Sequence, residues 1–110
     1  MILGKSNGLL AALIAVFATS SATAEIFSEA ATIGANAGAM NYCRDNIASD
    51  EDRGKYNLLA IKTLKQYDDL PSDDKVKALV LRKAAEDGDY LGDPLTGDRC
   101  DSLRKLLYIR

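Results

Sequence analysis

The sequence predicts an all-α fold: a small four-helix bundle-like domain with one disulfide joining the first and last helices, after a cleaved signal peptide. Three observations predict it. Apolar residues recur at spacings of three and four through most of the chain after residue 24, which is the period of a helix facing a core. Serine followed by acidic residues marks the start of successive segments. The only two cysteines, Cys43 and Cys100, lie far apart in this region.

Residues 1–24 have the composition of an export signal. A short head is followed by an apolar run at 9–18, about half of the roughly 20 residues that a membrane-spanning helix needs. The Ala-Thr-Ala at 22–24 offers the small residues that signal peptidase accepts. We expect cleavage before Glu25, with cleavage two residues earlier as the alternative. The sequence therefore predicts a single helical domain at 25–110 that is exported, periplasmic or extracellular, and not stably inserted in a membrane.

The two cysteines are predicted to form a structural disulfide. An exported protein meets an oxidising compartment, where two cysteines in a small domain pair most simply with each other. They are too far apart in sequence for the Cys-x-x-Cys spacing of a redox catalyst. A bond between Cys43 and Cys100 closes a long loop, so we expect it to add about 4 kcal/mol to the free energy of unfolding.

The first helix carries two glycines, Gly34 and Gly38, beside its apolar stripe. Glycines four apart in a helix favour the close approach of a neighbouring helix backbone, and this is the role we predict for them. The alternative is that they form a groove or a self-association face. The predicted stripe consists of Ile26, Ala30, Ile33, Ala37, Met40, Cys43 and Ile47.

Two further helices follow. Ser49 precedes three acidic residues, a pattern that predicts the start of a helix running to about Asp69. Pro71 is expected to end it, and Ser72 to cap a third helix that Gly88 ends. The predicted inward residues are Tyr56, Ala60, Thr63, Tyr67 and Leu70 of the second helix, and Val76, Leu79, Val80 and Ala84 of the third.

The segment 88–97, GDYLGDPLTG, has the densest cluster of turn-forming residues in the chain. Its apolar residues indicate a loop packed onto the helices rather than a linker. Thr96 or Asp98 is expected to cap a last helix. The inward residues predicted for that helix are Cys100, Leu103, Leu106 and Leu107.

This loop also holds the residues that we predict to contact a partner: Tyr90, Leu91 and Asp93. Tyrosine combines buried bulk with a polar tip and is a favoured anchor at protein interfaces, although the same properties suit a core residue. Asp93 belongs to a group of acids that resembles a calcium loop, but Leu91 stands where an EF-hand needs an oxygen ligand. Whether the loop binds a cation is left open.

Composition excludes several function classes. The chain has 14 basic and 16 acidic side chains, a net charge of −2, and no basic run of the kind that binds nucleic acid. It has no histidine, so a Ser-His-Asp triad cannot form and a zinc site lacks its commonest ligand. We therefore predict no catalytic residue, no metal and no cofactor.

In layout, the chain resembles two groups of small exported helical proteins. They are the periplasmic immunity proteins that neutralise type VI secretion effectors and the acid-stress chaperones of the bacterial periplasm. The shared features are a signal peptide, a short helical domain and a cysteine early and late in the chain. The resemblance covers no residue motif, so no site residue follows from it.

The function that the sequence favours is non-enzymatic binding of another protein, through a helix face and the loop from Asp89 to Gly97. An immunity-like inhibitor would be a special case. The alternative is an acid-responsive periplasmic chaperone, in which protonation of the 16 acidic side chains exposes apolar helix faces. The identity of the partner and the oligomeric state do not follow from the sequence.

Overall fold

A computed structural model of the protein describes residues 28–109, and within this range the chain is predominantly helical. Four α-helices are present, as predicted, together with one turn of π-helix and a two-stranded hairpin in place of the predicted loop. The predicted signal peptide and its cleavage site lie outside the described residues. In chain order the elements are α1 (Glu29–Tyr42), the π turn (Cys43–Ile47), α2 (Asp50–Asp68), α3 (Ser72–Glu86), β1 (Asp89–Tyr90), β2 (Asp93–Pro94) and α4 (Gly97–Ile109).

Hydroxyl side chains cap three of the four helices. The Oγ atoms of Ser28 and Ser49 each accept a hydrogen bond of 3.3 Å from the backbone N–H three residues on, which begins α1 and α2. Thr96 caps α4 in the same way, with the Arg99 N–H at 3.2 Å. The start of α3 differs from the prediction. Pro71, not Ser72, occupies the cap position, where its fixed backbone suits the entry to a helix and no side chain accepts a hydrogen bond.

Helix α1 is the central element, because it packs against α2, α3 and α4. Its closest neighbour is α3, and the contact is made by small residues. A Cβ added at Gly34 would overlap the backbone oxygen of Ala78, and one added at Gly38 would overlap that of Arg82 and lie 2.9 Å from the Ala85 Cβ. The two helix backbones therefore touch at both glycines, an approach that side chains would prevent.

A disulfide joins the end of α1 to α4. Cys43 begins the π turn, in which the Ala48 N–H donates to the Cys43 oxygen at 2.8 Å, and it is bonded to Cys100 with the two Cα atoms 5.8 Å apart. This confirms the predicted bridge. Both sulfurs lie in the main core, whose other members are Ala35, Ala39, Met40, Tyr56, Leu59, Ala60, Ala85, Tyr90, Leu95, Leu103 and Leu107.

The predicted inward faces are confirmed for most of α2 and α4, although Leu70 lies beyond the end of α2 and is half-buried. Tyr56, Ala60, Thr63 and Tyr67 are buried in α2, and Cys100, Leu103 and Leu107 are buried in α4. Leu106 is 54% exposed, so it was wrongly placed inward. No helix between residues 28 and 109 is both long enough and apolar enough to cross a membrane.

The hairpin follows α3 directly. Gly88 ends α3 with φ of +98°, as predicted for a helix stop, and its missing side chain leaves room for the Tyr42 ring. Tyr90 pairs with Asp93 across a two-residue turn in which Leu91 and Gly92 both have positive φ, +52° and +95°. Two positive φ values are those of a type I′ turn, the form whose twist matches paired antiparallel strands.

Candidate functional site

Tyr90, the first predicted partner residue, lies in the core. Its side chain is only 7% exposed, and its hydroxyl donates a 2.7 Å hydrogen bond to Oδ1 of the buried Asn36 in α1. The Arg99 guanidinium lies 5.7 Å from the centre of its ring. Tyr90 thereby fastens the hairpin to α1. This placement speaks against a role in contacting a partner, because a buried ring presents little surface to a second protein.

The other two predicted residues differ from each other. Leu91 is half-buried and packs against the core, which holds it at a backbone conformation that costs a non-glycine residue roughly 1 kcal/mol or more. Asp93 is exposed and accepts a 3.1 Å hydrogen bond from Arg99. The structure thus turns Tyr90 and Leu91 towards the core and leaves the Asp93 carboxylate outside.

The acids of the hairpin region do not converge. Asp89 accepts the Gly92 N–H at 3.0 Å and so stabilises the turn, while Glu86 pairs with Arg82 at 3.3 Å on α3. Within the described part of the chain, no three acidic, histidine or cysteine side chains are grouped so that they could hold a metal ion. The hydrogen bonds of these carboxylates are therefore those of a turn and a helix surface.

A groove of about 550 Å³ lies where the start of α1 meets the end of α2. Thr63 forms part of its wall, and its hydroxyl already donates to the Leu59 oxygen at 2.7 Å. Lys62, at the edge, donates to the Leu107 oxygen at 3.5 Å. These polar groups are engaged within the chain. The remaining lining residues are Glu29, Thr32, Ile33, Asn36, Gln66 and Asp69.

A charged cluster on α4 places Arg104 against Tyr56 of α2. The Arg104 guanidinium donates to Asp101 at 2.7 Å and lies 5.8 Å from the centre of the Tyr56 ring, while Lys105 pairs with Asp101 at 3.0 Å. Hydrogen bonds from Lys105 and Arg104 lower the pKa of Asp101 below its ordinary value of 3.8. Burial raises the pKa of Tyr56. Asp101 is held in its ionised form by two cations of its own helix, and Arg104 lies against the Tyr56 ring, so these groups contact one another and fit a structural role.

The largest departure from the sequence prediction concerns α3. Val76, Leu79 and Val80 were predicted to face inward, but they are 70%, 37% and 67% exposed. The reason is the close contact with α1. Because Gly34 and Gly38 bring the two backbones together, only small side chains such as Ala78 and Ala85 fit between them. Val76, Leu79 and Val80 point outward, while Leu81, at the side of the contact, packs against the main core.

These three residues form the apolar part of a surface that we name the outer face of α3. It also includes the exposed charged residues Asp73, Lys77 and Lys83. None of the three charges makes an ion pair with another described residue. On α2, Leu58 and Ile61 are similarly exposed, at 67% and 61%.

The outer face of α3 was not predicted from the sequence, because its large apolar residues were expected to lie inside. The signal that could have revealed it is Gly34 with Gly38, since a glycine face needs small residues opposite.

Comparison with known proteins adds no relative: no family model, curated protein or solved structure matches the chain.

Proposed function

We propose that this chain is a small exported, non-enzymatic binding protein that recognises another protein chain through the outer face of α3. The observation that carries the proposal is the exposure of Val76 and Val80, at 70% and 67%, on one ridge of a helix whose opposite side is packed against α1. Export is supported by the signal-like composition of residues 1–24.

Exposed apolar surface on α3 can supply the free energy of binding. Full burial of a valine or leucine side chain stabilises an association by about 1.5–3 kcal/mol, so three such residues can anchor a partner. A helix that presents residues at spacings of three and four is a common recognition element, docking into a complementary groove or against another helix. In this proposal the helix face provides the contact, and the segment from Asp89 to Gly97, which contains the hairpin, keeps only a flanking polar role.

The test uses two matched substitutions. Val80→Gln and Leu58→Gln each remove an aliphatic side chain that is 67% exposed, one from the outer face of α3 and one from α2. Glutamine is a good helix former, so both variants should keep the fold, and circular dichroism checks this. The oxidised protein serves as bait for affinity capture from the native organism's exported fraction, at pH 7 and at pH 3.

We expect one dominant partner at pH 7, with capture at least tenfold weaker for Val80→Gln and unchanged for Leu58→Gln. Equal capture by the two variants would show that the outer face of α3 is not the binding surface. Capture of many unrelated proteins at pH 3 alone would instead favour an acid-responsive chaperone.

A further inference from the structure

We propose that the outer face of α3 binds a second copy of the same chain, with the two α3 helices packed antiparallel about a twofold axis. This inference rests on the proposed function, since it names the occupant of the same surface. It is carried by the order of charged and apolar residues along the face, which is complementary to itself in one orientation.

The relevant residues form a single seam. Asp73, Val76, Val80 and Lys83 follow each other at spacings of three, four and three, the spacing with which helices pair side by side. All four are exposed. The seam is therefore apolar at its centre, acidic at the start of the helix and basic towards its end.

An antiparallel arrangement satisfies every position of this seam. With the twofold axis level with residue 78, Val76 of one copy lies opposite Val80 of the other, and Asp73 lies opposite Lys83. The symmetry repeats both contacts, giving two valine pairs and two pairs of opposite charge. A parallel arrangement would instead place each charge opposite its own kind. Electrostatic complementarity thus selects the antiparallel orientation.

The two charges are available for such a contact. Neither Asp73 nor Lys83 has an ion-pair partner among residues 28–109, although six of the eight ion pairs in this range link residues three or four apart on one helix. Both side chains are exposed. An unpaired acid and an unpaired base at the two ends of an exposed apolar patch are what a self-complementary interface requires.

The exposed face of α2 does not offer the same match. A twofold register that pairs Leu58 with Ile61 would set Glu51 opposite Asp68, so two like charges would meet at each end. Like charges in opposition weaken association. A register centred on Leu58 would set Glu51 opposite Lys65, but Lys65 already pairs with Asp69 at 3.6 Å, whereas Asp73 and Lys83 have no such partner among the described residues. The choice of α3 over α2 therefore follows from the order and the pairing of the charges and not from apolar exposure, which is similar on both helices.

The contact should be weak and reversible. Helix α3 has 15 residues and is about 22 Å long, so a single helix pair buries less than the roughly 1,200 Å² of a standard stable interface. We expect an equilibrium between monomer and dimer that shifts with protein concentration. Sedimentation equilibrium over a concentration series measures it.

The decisive test reverses one charge at a time. Asp73→Lys leaves Lys at both ends of the seam, and Lys83→Asp leaves Asp at both ends, so each variant alone should show an association constant about tenfold lower. When the two variants are mixed, they should form a heterodimer about as strong as the wild-type dimer, because position 73 of each copy then lies opposite a residue of opposite charge at position 83 of the other. A change in folding of either variant could not produce this recovery. The protein used is the chain as it is purified after export, with its disulfide formed.

Glu51→Lys is the matched control. Glu51 is an exposed acid at the second position of α2, as Asp73 is of α3, so its reversal disturbs the start of a helix equally. This variant should associate like the wild type.

A wild-type protein that stays monomeric throughout the series, or a mixture no stronger than its components, would overturn the dimer. The proposed function would survive that result if Val80→Gln still reduced capture of a different protein while Leu58→Gln did not. Equal capture by those two variants would contradict the proposed function, whether or not the chain forms a dimer.

Discussion

The glycines of this chain show how one residue type takes opposite roles. Gly34 and Gly38 touch the backbone of α3, whereas a Cβ at Gly54, on the exposed side of α2, would meet no other atom within 4 Å. Helix propensity does not distinguish a glycine in a helix contact from an exposed one, because each glycine lowers the helix propensity by the same amount. The spacing of the glycines does distinguish them: Gly34 and Gly38 lie four apart beside an apolar stripe, whereas Gly54 is a single glycine among charged residues.

Alanine substitutions should reveal the difference. Gly38→Ala should destabilise the protein by about 1–3 kcal/mol, because the added Cβ overlaps the Arg82 backbone and forces the helices apart. Gly54→Ala should stabilise it by about 0.5–1 kcal/mol, through helix propensity and a less flexible unfolded chain. Urea unfolding monitored by circular dichroism measures both. A Gly38→Ala variant as stable as the wild type would contradict the close backbone contact.

At the scale of elements, helix positions could be predicted from the sequence but the orientation of one helix could not. The cap at Ser49 and the stop at Gly88 depend on local chemistry, which the sequence displays directly. The direction in which α3 faces depends on what packs against it. Periodicity placed Val76 and Val80 inside, and the glycine face of α1 reversed that choice because it accepts only small side chains. The packing of the loop onto the helices was thus predicted correctly, with Tyr90 buried, whereas the exposure of the valines was not predicted.

The ion pairs of Asp101 make the stability of α4, and through Arg104 its contact with Tyr56 of α2, dependent on pH. The pKa of Asp101 is lower in the folded protein than its ordinary value of 3.8. The Asp101 carboxylate therefore stabilises the fold at pH values above 3.8 and loses that effect as the pH falls through the lower, folded-state pKa. Asp101→Asn should lower the thermal midpoint at pH 7, modestly because the side chain is partly exposed. The difference from wild type should shrink below pH 4.

Thermal unfolding at several pH values tests this dependence. Asp68→Asn is the control, because Asp68 is an exposed carboxylate at the last position of α2 with no ion pair to another described residue, and its removal should not lower the midpoint at pH 7. A deficit in Asp101→Asn that stays constant from pH 7 to pH 2 would rule out the ionised pair as its cause.

At the scale of the whole molecule, the disulfide joins the end of α1 to α4. Cys43 and Cys100 are separated by 57 positions, and both are completely buried in the main core. The sequence predicted this bridge correctly because two cysteines allow only one pairing. A small domain has few kcal/mol of net stability, so a single covalent link can supply a large part of it.

Removing the bridge should therefore weaken the whole fold. The double variant Cys43→Ala with Cys100→Ala should lose about 4 kcal/mol of stability and melt roughly 15–30 °C lower than the oxidised protein. Differential scanning calorimetry with and without dithiothreitol provides the measurement. The reductant should lower the midpoint of the wild type and leave that of the double variant unchanged. A wild type that is insensitive to full reduction would show that helix packing alone holds the fold.

The inverted packing of α3 also determines which parts of this sequence are free to change during evolution. Ala78 and Ala85 are confined between two backbones, so even one added methyl group is costly there, whereas the exposed Val76 and Val80 can be exchanged without disturbing the interior. In descendants of this chain, the alanines and glycines should be the slowly changing positions. The substitution rate of Val76 and Val80 should instead depend on the surface that they contact, so it reports on binding rather than on the fold.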